Sequence, residues 1–195
     1  GDENKAKIAA VLLLSAPGVP FIYYGEEIGM VGSKPDENIR LPMQWDGNSN
    51  AGFTTGVPWR AGNPNFSDWN VDVLSKQDNS LLNLYRQLIH LRNETSALRV
   101  GEFQKLTTND RNVVAFSRIL DNEKILVLIN LGKEPKEVTI ELPRESFNSG
   151  NYSVNSLLEN KIYSSLSIVE GDNPTIYQPK PSMNGSEYLI LKITP

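Results

Sequence analysis

The sequence predicts an α+β chain in two parts, a helix-turn-strand portion over residues 1–98 and an antiparallel β-sandwich over residues 99–195. Three observations predict it. A helix-forming run, Ala6 to Ser15, is stopped by Pro17 and Gly18 and followed at once by a β-prone stretch, Pro20 to Tyr24, the rhythm of an α/β protein. A second helical period then places Leu81, Leu84, Tyr85, Leu88 and Leu91 on one face. Beyond Leu98 the chain changes to short β-rich runs separated by turn residues, so the boundary is placed near Leu98 to Gly101.

Asp2 is positioned to cap the first helix, and its centre, Ile8 to Leu14, is apolar on nearly every side, which predicts burial between two layers. Pro20 to Tyr24 reads as a short buried strand that ends at Gly25. From Glu26 to about Gln77 no periodicity is sustained. This long loop carries Trp45, Trp59 and Trp69, and loops of such length are functional or held by their own contacts. Trp45 and Trp59 are expected to form its local core. Asp78 or Ser80 caps the second helix, which runs to Arg92, and His90 falls opposite its apolar stripe, facing solvent. Strands are predicted over 101–106, 113–120, 124–131, 136–142 and 187–193, with turns at Asn109-Asp110, Asp121-Asn122 and Gly132-Lys133. No repeat or heptad appears.

Composition narrows the function classes. Nineteen basic against twenty-three acidic residues leave a net charge of −4, so the chain lacks the footprint for nucleic acid or an anionic membrane surface. Zero cysteines and one histidine exclude thiol chemistry, disulfides and multi-histidine metal sites. The longest apolar stretch, Ile8 to Ala16, is too short to span a bilayer and follows acidic Asp2 and Glu3 rather than a basic leader. Residues 1–98 offer too little sheet for an α/β layer of their own. The missing layers are expected from sequence upstream of Gly1, since leaving the first helix in water would forgo on the order of 10 kcal/mol.

The run Pro17-Gly18-Val19-Pro20-Phe21-Ile22-Tyr23-Tyr24-Gly25-Glu26-Glu27-Ile28-Gly29-Met30 resembles the last barrel strand of the α-amylase family, glycoside hydrolase family 13. Arg40-Leu41-Pro42-Met43-Gln44-Trp45-Asp46, Asn50 to Thr54 and Pro58-Trp59 are similar to the segment that follows it in the oligo-1,6-glucosidase and α-glucosidase branch, and Tyr85 to Arg92 to the barrel's closing helix. The resemblance implies the last part of a (β/α)8 TIM barrel followed by the family's C-terminal antiparallel Greek-key β-sandwich, acting on α-glucosidic bonds with retention. That chemistry uses a nucleophile and an acid/base carboxyl about 5 to 5.5 Å apart. In the family these groups lie on earlier strands, so no catalytic residue is expected here, and the isolated chain is expected to be inactive. The stretch Val31 to Ile39 is shorter than is usual in oligo-1,6-glucosidases and resembles certain saccharifying α-amylases, leaving short oligosaccharides, maltodextrins and starch all compatible, as is transfer to another sugar.

Barrel enzymes place function at the carboxyl ends of their strands, which puts Tyr24, Glu26 and Glu27 at the active-site rim. Adjacent carboxylates on an extended chain point apart, so structural hydrogen bonding is the preferred role of Glu26 and Glu27. Arg40 is the best substrate-binding candidate, because a planar guanidinium pairs a carboxylate while donating to sugar hydroxyls; the competing reading is a surface ion pair with Asp36 or Glu37. Tyr23, Tyr24 and the tryptophans could stack on sugar rings, though packing is favoured for most. Asp46-x-Asn48-x-Asn50 imitates a calcium loop but has Ala51 and Val57 at the glycine and twelfth positions, which rejects an EF-hand. No cofactor is implied, although the resemblance leaves room for a structural calcium ion in a complete enzyme. The Asn-x-Ser/Thr triplets at Asn65, Asn93, Asn151 and Asn184 fit chance in an Asn-rich chain. The alternative function is a non-catalytic glycan-binding or interaction module, poorly supplied because residues 101–195 hold no tryptophan. Self-association through exposed barrel residues is also expected.

Overall fold

The computed structural model describes residues 2–171 and 174–195. It comprises two compact units, Gly1–Ala10 with Pro20–Gln87 and Val11–Val19 with Leu88–Pro195. The division passes through two helices, α1 (Glu3–Ser15) and α3 (Leu81–Glu94). Among the described residues no helix is long and apolar enough to cross a membrane.

Helix α1 starts as its sequence predicts, with the Lys5 amide donating to Asp2 Oδ1 at 3.3 Å. Ile8, Ala10, Val11 and Leu14 are buried, whereas Ala9 is exposed and Leu12 and Leu13 are half-covered, so burial is less complete than expected. The predicted strand at Pro20 to Tyr24 is absent. The stretch forms no ladder with any described strand, and Phe21 is 85% exposed, with Ile22, Tyr23 and Tyr24 also open. A strand is defined by partners for its alternating N–H and C=O groups, and β-propensity alone supplies none.

The first unit is held by short turns and helices rather than by sheet. Its 3-10 turns are Glu26–Ile28, Asp36–Asn38 and Ser49–Gly52, and helix α2 (Val71–Ser75) closes the loop. Asn70 caps α2 by accepting from the Val73 amide at 2.8 Å. Ser80 caps α3 in the predicted way, accepting from the Asn83 amide at 3.2 Å, and His90 is exposed. Ile28, Leu74 and Leu82 form the unit's small core with Met30, Met43, Trp69 and Val71 around them. Trp69 is therefore the loop's packed indole, and the expectation for Trp45 and Trp59 is corrected: they are 51% and 57% exposed. Backbone bonds brace that part of the loop instead, since the Trp45 and Asp46 amides both donate to Ala51 O.

In the second unit, α4 (Ser96–Val100) leads into eight strands: β1 (Glu102–Thr108), β2 (Val113–Leu120), β3 (Glu123–Asn130), β4 (Ile140–Leu142), β5 (Gly150–Ser156), β6 (Leu166–Ile168), β7 (Thr175–Tyr177) and β8 (Tyr188–Thr194). Their order is β6-β5-β8-β3-β2-β1-β4-β7, with every pair antiparallel. Three hairpin-linked strands with the fourth returning beside the first is a Greek key, as predicted. Two strands turn corners by changing partner along their length. β1 pairs β2 through 102–106 and β4 through 107–108, while β5 pairs β6 through 150–152 and β8 through 153–156. The ends of the order then meet, with the Ser164 amide donating to Pro179 O at 3.1 Å and Tyr177 Oη to Ser164 O at 2.5 Å. The result is a barrel-like sandwich around one core that includes Leu106, Leu126, Leu128, Ile140, Val154 and Leu191.

The predicted strand over 136–142 is reduced to Ile140–Leu142 plus a single bridge between Lys136 and Met183. Strands β5, β6 and β7 are additions to the predicted set. They are polar or only three residues long, and their apolar alternation is too brief to stand out from loop sequence.

Candidate functional site

The motif-bearing residues converge on a tight turn in the first unit. Gly25 (φ 87°) and Gly29 (φ 67°) both adopt the left-handed conformation and bracket the turn Glu26–Ile28. A side chain at Gly29 would also press on the Trp69 ring, at 3.3 Å from its edge. The turn buries Ile28 in the unit's core and so orients the acidic residues before it.

Tyr24 and Glu26 line one cleft of about 260 Å³ together with Tyr23, Met30, Ile39 and Leu41. Tyr24 Oη donates to Leu41 O at 3.0 Å, which ties the two walls, and its ring lies 5.0 Å from that of Tyr23. Partial burial raises the Tyr24 phenol above its ordinary pKa, as does Tyr23, while the Arg40 charge pulls it down. Glu26 also borders a second cavity of about 460 Å³, shared with Asp2, Glu3, Met30, Asn65 and Trp69.

The carboxylates face different surroundings. Glu26 Oε1 accepts from Tyr85 Oη of α3 at 3.0 Å. Burial pushes the Tyr85 phenol well above its usual range, reinforced by this bond and by the charges of Glu26 and Glu27. Glu27 turns Oε2 into the protein, where it meets no hydrogen-bond partner among the described residues. Arg40 is 62% exposed at its side chain, and its Nη2 donates to Asp36 Oδ2 at 3.0 Å. Its neighbours Ile39 and Leu41 line the first cleft. Tyr24 and Glu26 thus share a cleft, whereas the Arg40 fork is engaged by Asp36.

Tyr85 is the residue that sequence reasoning missed, because its place in the helical stripe marks it as packing and nothing marks its hydroxyl as a partner for Glu26. Gln44 is a second such residue. It is fully buried in the Arg-x-Pro-Met-Gln-Trp run, and its Nε2 donates to Trp69 O, joining two distant parts of the loop. The rejected calcium loop is closed on itself instead: Asp46 Oδ1 accepts from the Asn48 amide at 2.8 Å. Among the described residues no three His, Cys, Asp or Glu side chains gather closely enough to hold a metal.

Comparison with known proteins places this geometry. Residues 1–101 match the model of the α-amylase catalytic domain, and residues 103–161 match that of the maltogenic amylase C-terminal domain. Alpha-amylase 3 of Dictyoglomus thermophilum is 38% identical over 133 residues, covering 68% of this chain and 27% of that protein. The oligo-1,6-glucosidase of Parageobacillus thermoglucosidasius is 31% identical over 176 residues, covering 69% of this chain and 31% of that protein. Among solved structures, isomaltulose synthase of Erwinia rhapontici in complex with D-glucose superposes with a TM-score of 0.73 at 28% identity, covering 99% of this chain and 38% of that one. The chain therefore spans about a third of the length of these relatives. With just over half of its residues matching the catalytic-domain model and the Greek-key strands following directly, the chain belongs to the α-amylase family, glycoside hydrolase family 13.

Proposed function

We propose that this chain is the C-terminal portion of a retaining glycosidase that hydrolyses α-glucosidic bonds in α-glucans or oligosaccharides. Residues 1–98 form the end of its (β/α)8 catalytic barrel and residues 99–195 its C-terminal sandwich. The observation that carries the reading is the unbroken succession of catalytic-domain and C-terminal-domain matches along one short chain. The β-prone composition of Phe21 to Tyr24, inside the stretch that matches the catalytic-domain model, is consistent with it.

The nucleophile and acid/base carboxyls come from sequence outside these residues. Glu26 is committed to Tyr85, and Glu26 and Glu27 are consecutive, so the two cannot flank one scissile bond. Their role is to shape the rim. Arg40 binds substrate: Asp36 fixes one edge of its fork, and the remaining N–H groups are free to donate to sugar hydroxyls. Tyr24 presents its ring at the cleft beside it.

The test is turnover of a chromogenic α-glucoside. The chain alone is expected to give none, and the protein that joins it to a complete barrel is expected to turn over readily; activity in the 195-residue chain would overturn the assignment of the carboxylates. In the complete enzyme, Arg40→Ala should raise KM with the fold intact, and unchanged kinetics would reject the substrate role. The competing glycan-binding reading lacks a platform, because Phe103 is the one exposed large aromatic of the sandwich among the described residues. Saturable maltooligosaccharide binding by this chain would favour it.

A further inference from the structure

Helix α1 ends badly by its own sequence. Its last turn carries no basic residue, and Pro17 follows at once, so the carbonyls that close the helix have neither a favourable charge nor a continuing amide. Two arginines of the second unit meet that need. Arg92, on α3, donates from Nη1 to Leu14 O at 2.8 Å and to Ala16 O at 3.0 Å, and from Nη2 to Gly18 O at 2.6 Å. Arg118, on β2, donates from Nη1 to Ser15 O at 2.9 Å and from Nη2 to Gly101 O at 3.0 Å. Arg118 is 1% exposed and Arg92 is 7% exposed, and among the described residues neither forms an ion pair with a carboxylate. Two buried cations lie close together with backbone oxygens as their partners.

From this juxtaposition we infer that Arg92 and Arg118 are positioning residues, a paired guanidinium clasp that fixes where α1 ends and where the chain departs at Gly18 toward Tyr24 and Glu26. The chemistry is specific to arginine. One planar fork reaches three carbonyls from Leu14 to Gly18, and the other spans two carbonyls from parts of the chain that are far apart in sequence, one at the helix end and one where α4 passes into β1. The partial negative charge at a helix C-terminus, about half an elementary charge, offsets the missing carboxylate. The cost is visible: burial holds both guanidiniums below their ordinary pKa, for Arg118 with a contribution from Arg92, and Arg118 Nε is buried without a partner among the described residues. This inference is independent of the glycosidase reading.

Residue-resolved hydrogen exchange on the 195-residue chain tests it. Arg118→Met and Arg92→Met should each accelerate exchange at the amides of Leu13 to Ala16 by about tenfold or more, the scale of one lost charge-assisted bond, while Leu126 and Leu128 in β3 keep their wild-type rates. Unchanged exchange at the helix end would overturn the clasp, and so would equal acceleration in β3, which would make the arginines ordinary core supports. Should Arg118→Met fail to fold, Arg92→Met gives the same reading. Arg92→Lys keeps the charge but not the fork and should protect only partly or not at all; full wild-type protection would refute the guanidinium requirement.

Discussion

Replacing Tyr85 by phenylalanine removes one oxygen from the bond that anchors the Glu26–Ile28 turn to α3. Tyr85 is 6% exposed, and its hydroxyl donates to Glu26 Oε1 at 3.0 Å. A hydrogen bond to a charged acceptor contributes ~1.5–3 kcal/mol, so Tyr85→Phe should destabilise the chain by about 2 kcal/mol. Glu26→Gln converts the same contact into a neutral bond about half as strong, which should cost about 1 kcal/mol. Once the phenol is gone, the second substitution should cost nothing. The two effects therefore fail to add, with a coupling energy of about 1 kcal/mol in a double-mutant cycle. Urea unfolding followed by tryptophan fluorescence supplies the four free energies, with Trp69 reporting from the core beside the turn. The phenol gives a second reading. Burial is the main reason that Tyr85 resists ionisation, and Glu26 adds both its bond and its charge, so Glu26→Gln should shift the Tyr85 titration downward. Additive single costs, or a Tyr85→Phe effect below about 0.5 kcal/mol, would refute the anchoring role.

Gly25→Ala should cost at least about 1–2 kcal/mol through its left-handed φ of 87°, with the new methyl also pressing on the Met30 side chain; an unchanged urea midpoint would contradict this. Leu128→Ala, in the sandwich core, should cost ~2–5 kcal/mol in the same assay, whereas Ile176→Ala on the exposed face of β7 should stay within ~0.5 kcal/mol. Stability should fall at alkaline pH. The buried phenols of Tyr85, Tyr163 and Tyr177 hold their protons longer in the folded chain, Tyr163 being pushed up to about 12, chiefly by burial. Above about pH 10 the unfolded chain loses these protons first, so the stabilisation present below that pH is lost as pH rises toward the folded values. Thermal unfolding between about pH 9 and about pH 12 measures it, and a flat profile would contradict the burial of these groups.

Local signals survived folding wherever a residue's neighbours in sequence were also its partners. The Asp2 cap, the Ser80 cap and strands β2 and β3 follow from adjacent side chains and can be read directly. Gly25 was legible as a break for the same reason, and in the structure it opens the turn Glu26–Ile28 in the left-handed conformation. What depended on distant partners was not. Phe21 to Tyr24 has strand composition but no described strand beside it, and Trp45 and Trp59 have large apolar rings that the small first core does not take in. At the candidate site, Arg40 and Glu26 were singled out from their motif and the Arg40–Asp36 pair was one of two readings, yet the engagement of Glu26 with Tyr85 is a matter of rotamer and tertiary contact. Helix periodicity named Tyr85 as an apolar body and was silent on its hydroxyl, and Arg92 and Arg118 read as ordinary charged residues until their carbonyl partners came into view.

The two corner strands have an outcome for behaviour in a crowded solution. Because β1 and β5 each spend one end on one neighbour and the other end on another, pairing is shared out along each strand, and Glu102–Leu106 of β1 is laddered to β2 on one flank. The outermost strands, β6 and β7, are three residues each and lie at ends that bond to one another. A foreign chain seeking a template for cross-β growth at either end of the strand order meets an edge of three residues, so those two ends offer a poor start for fibril seeding.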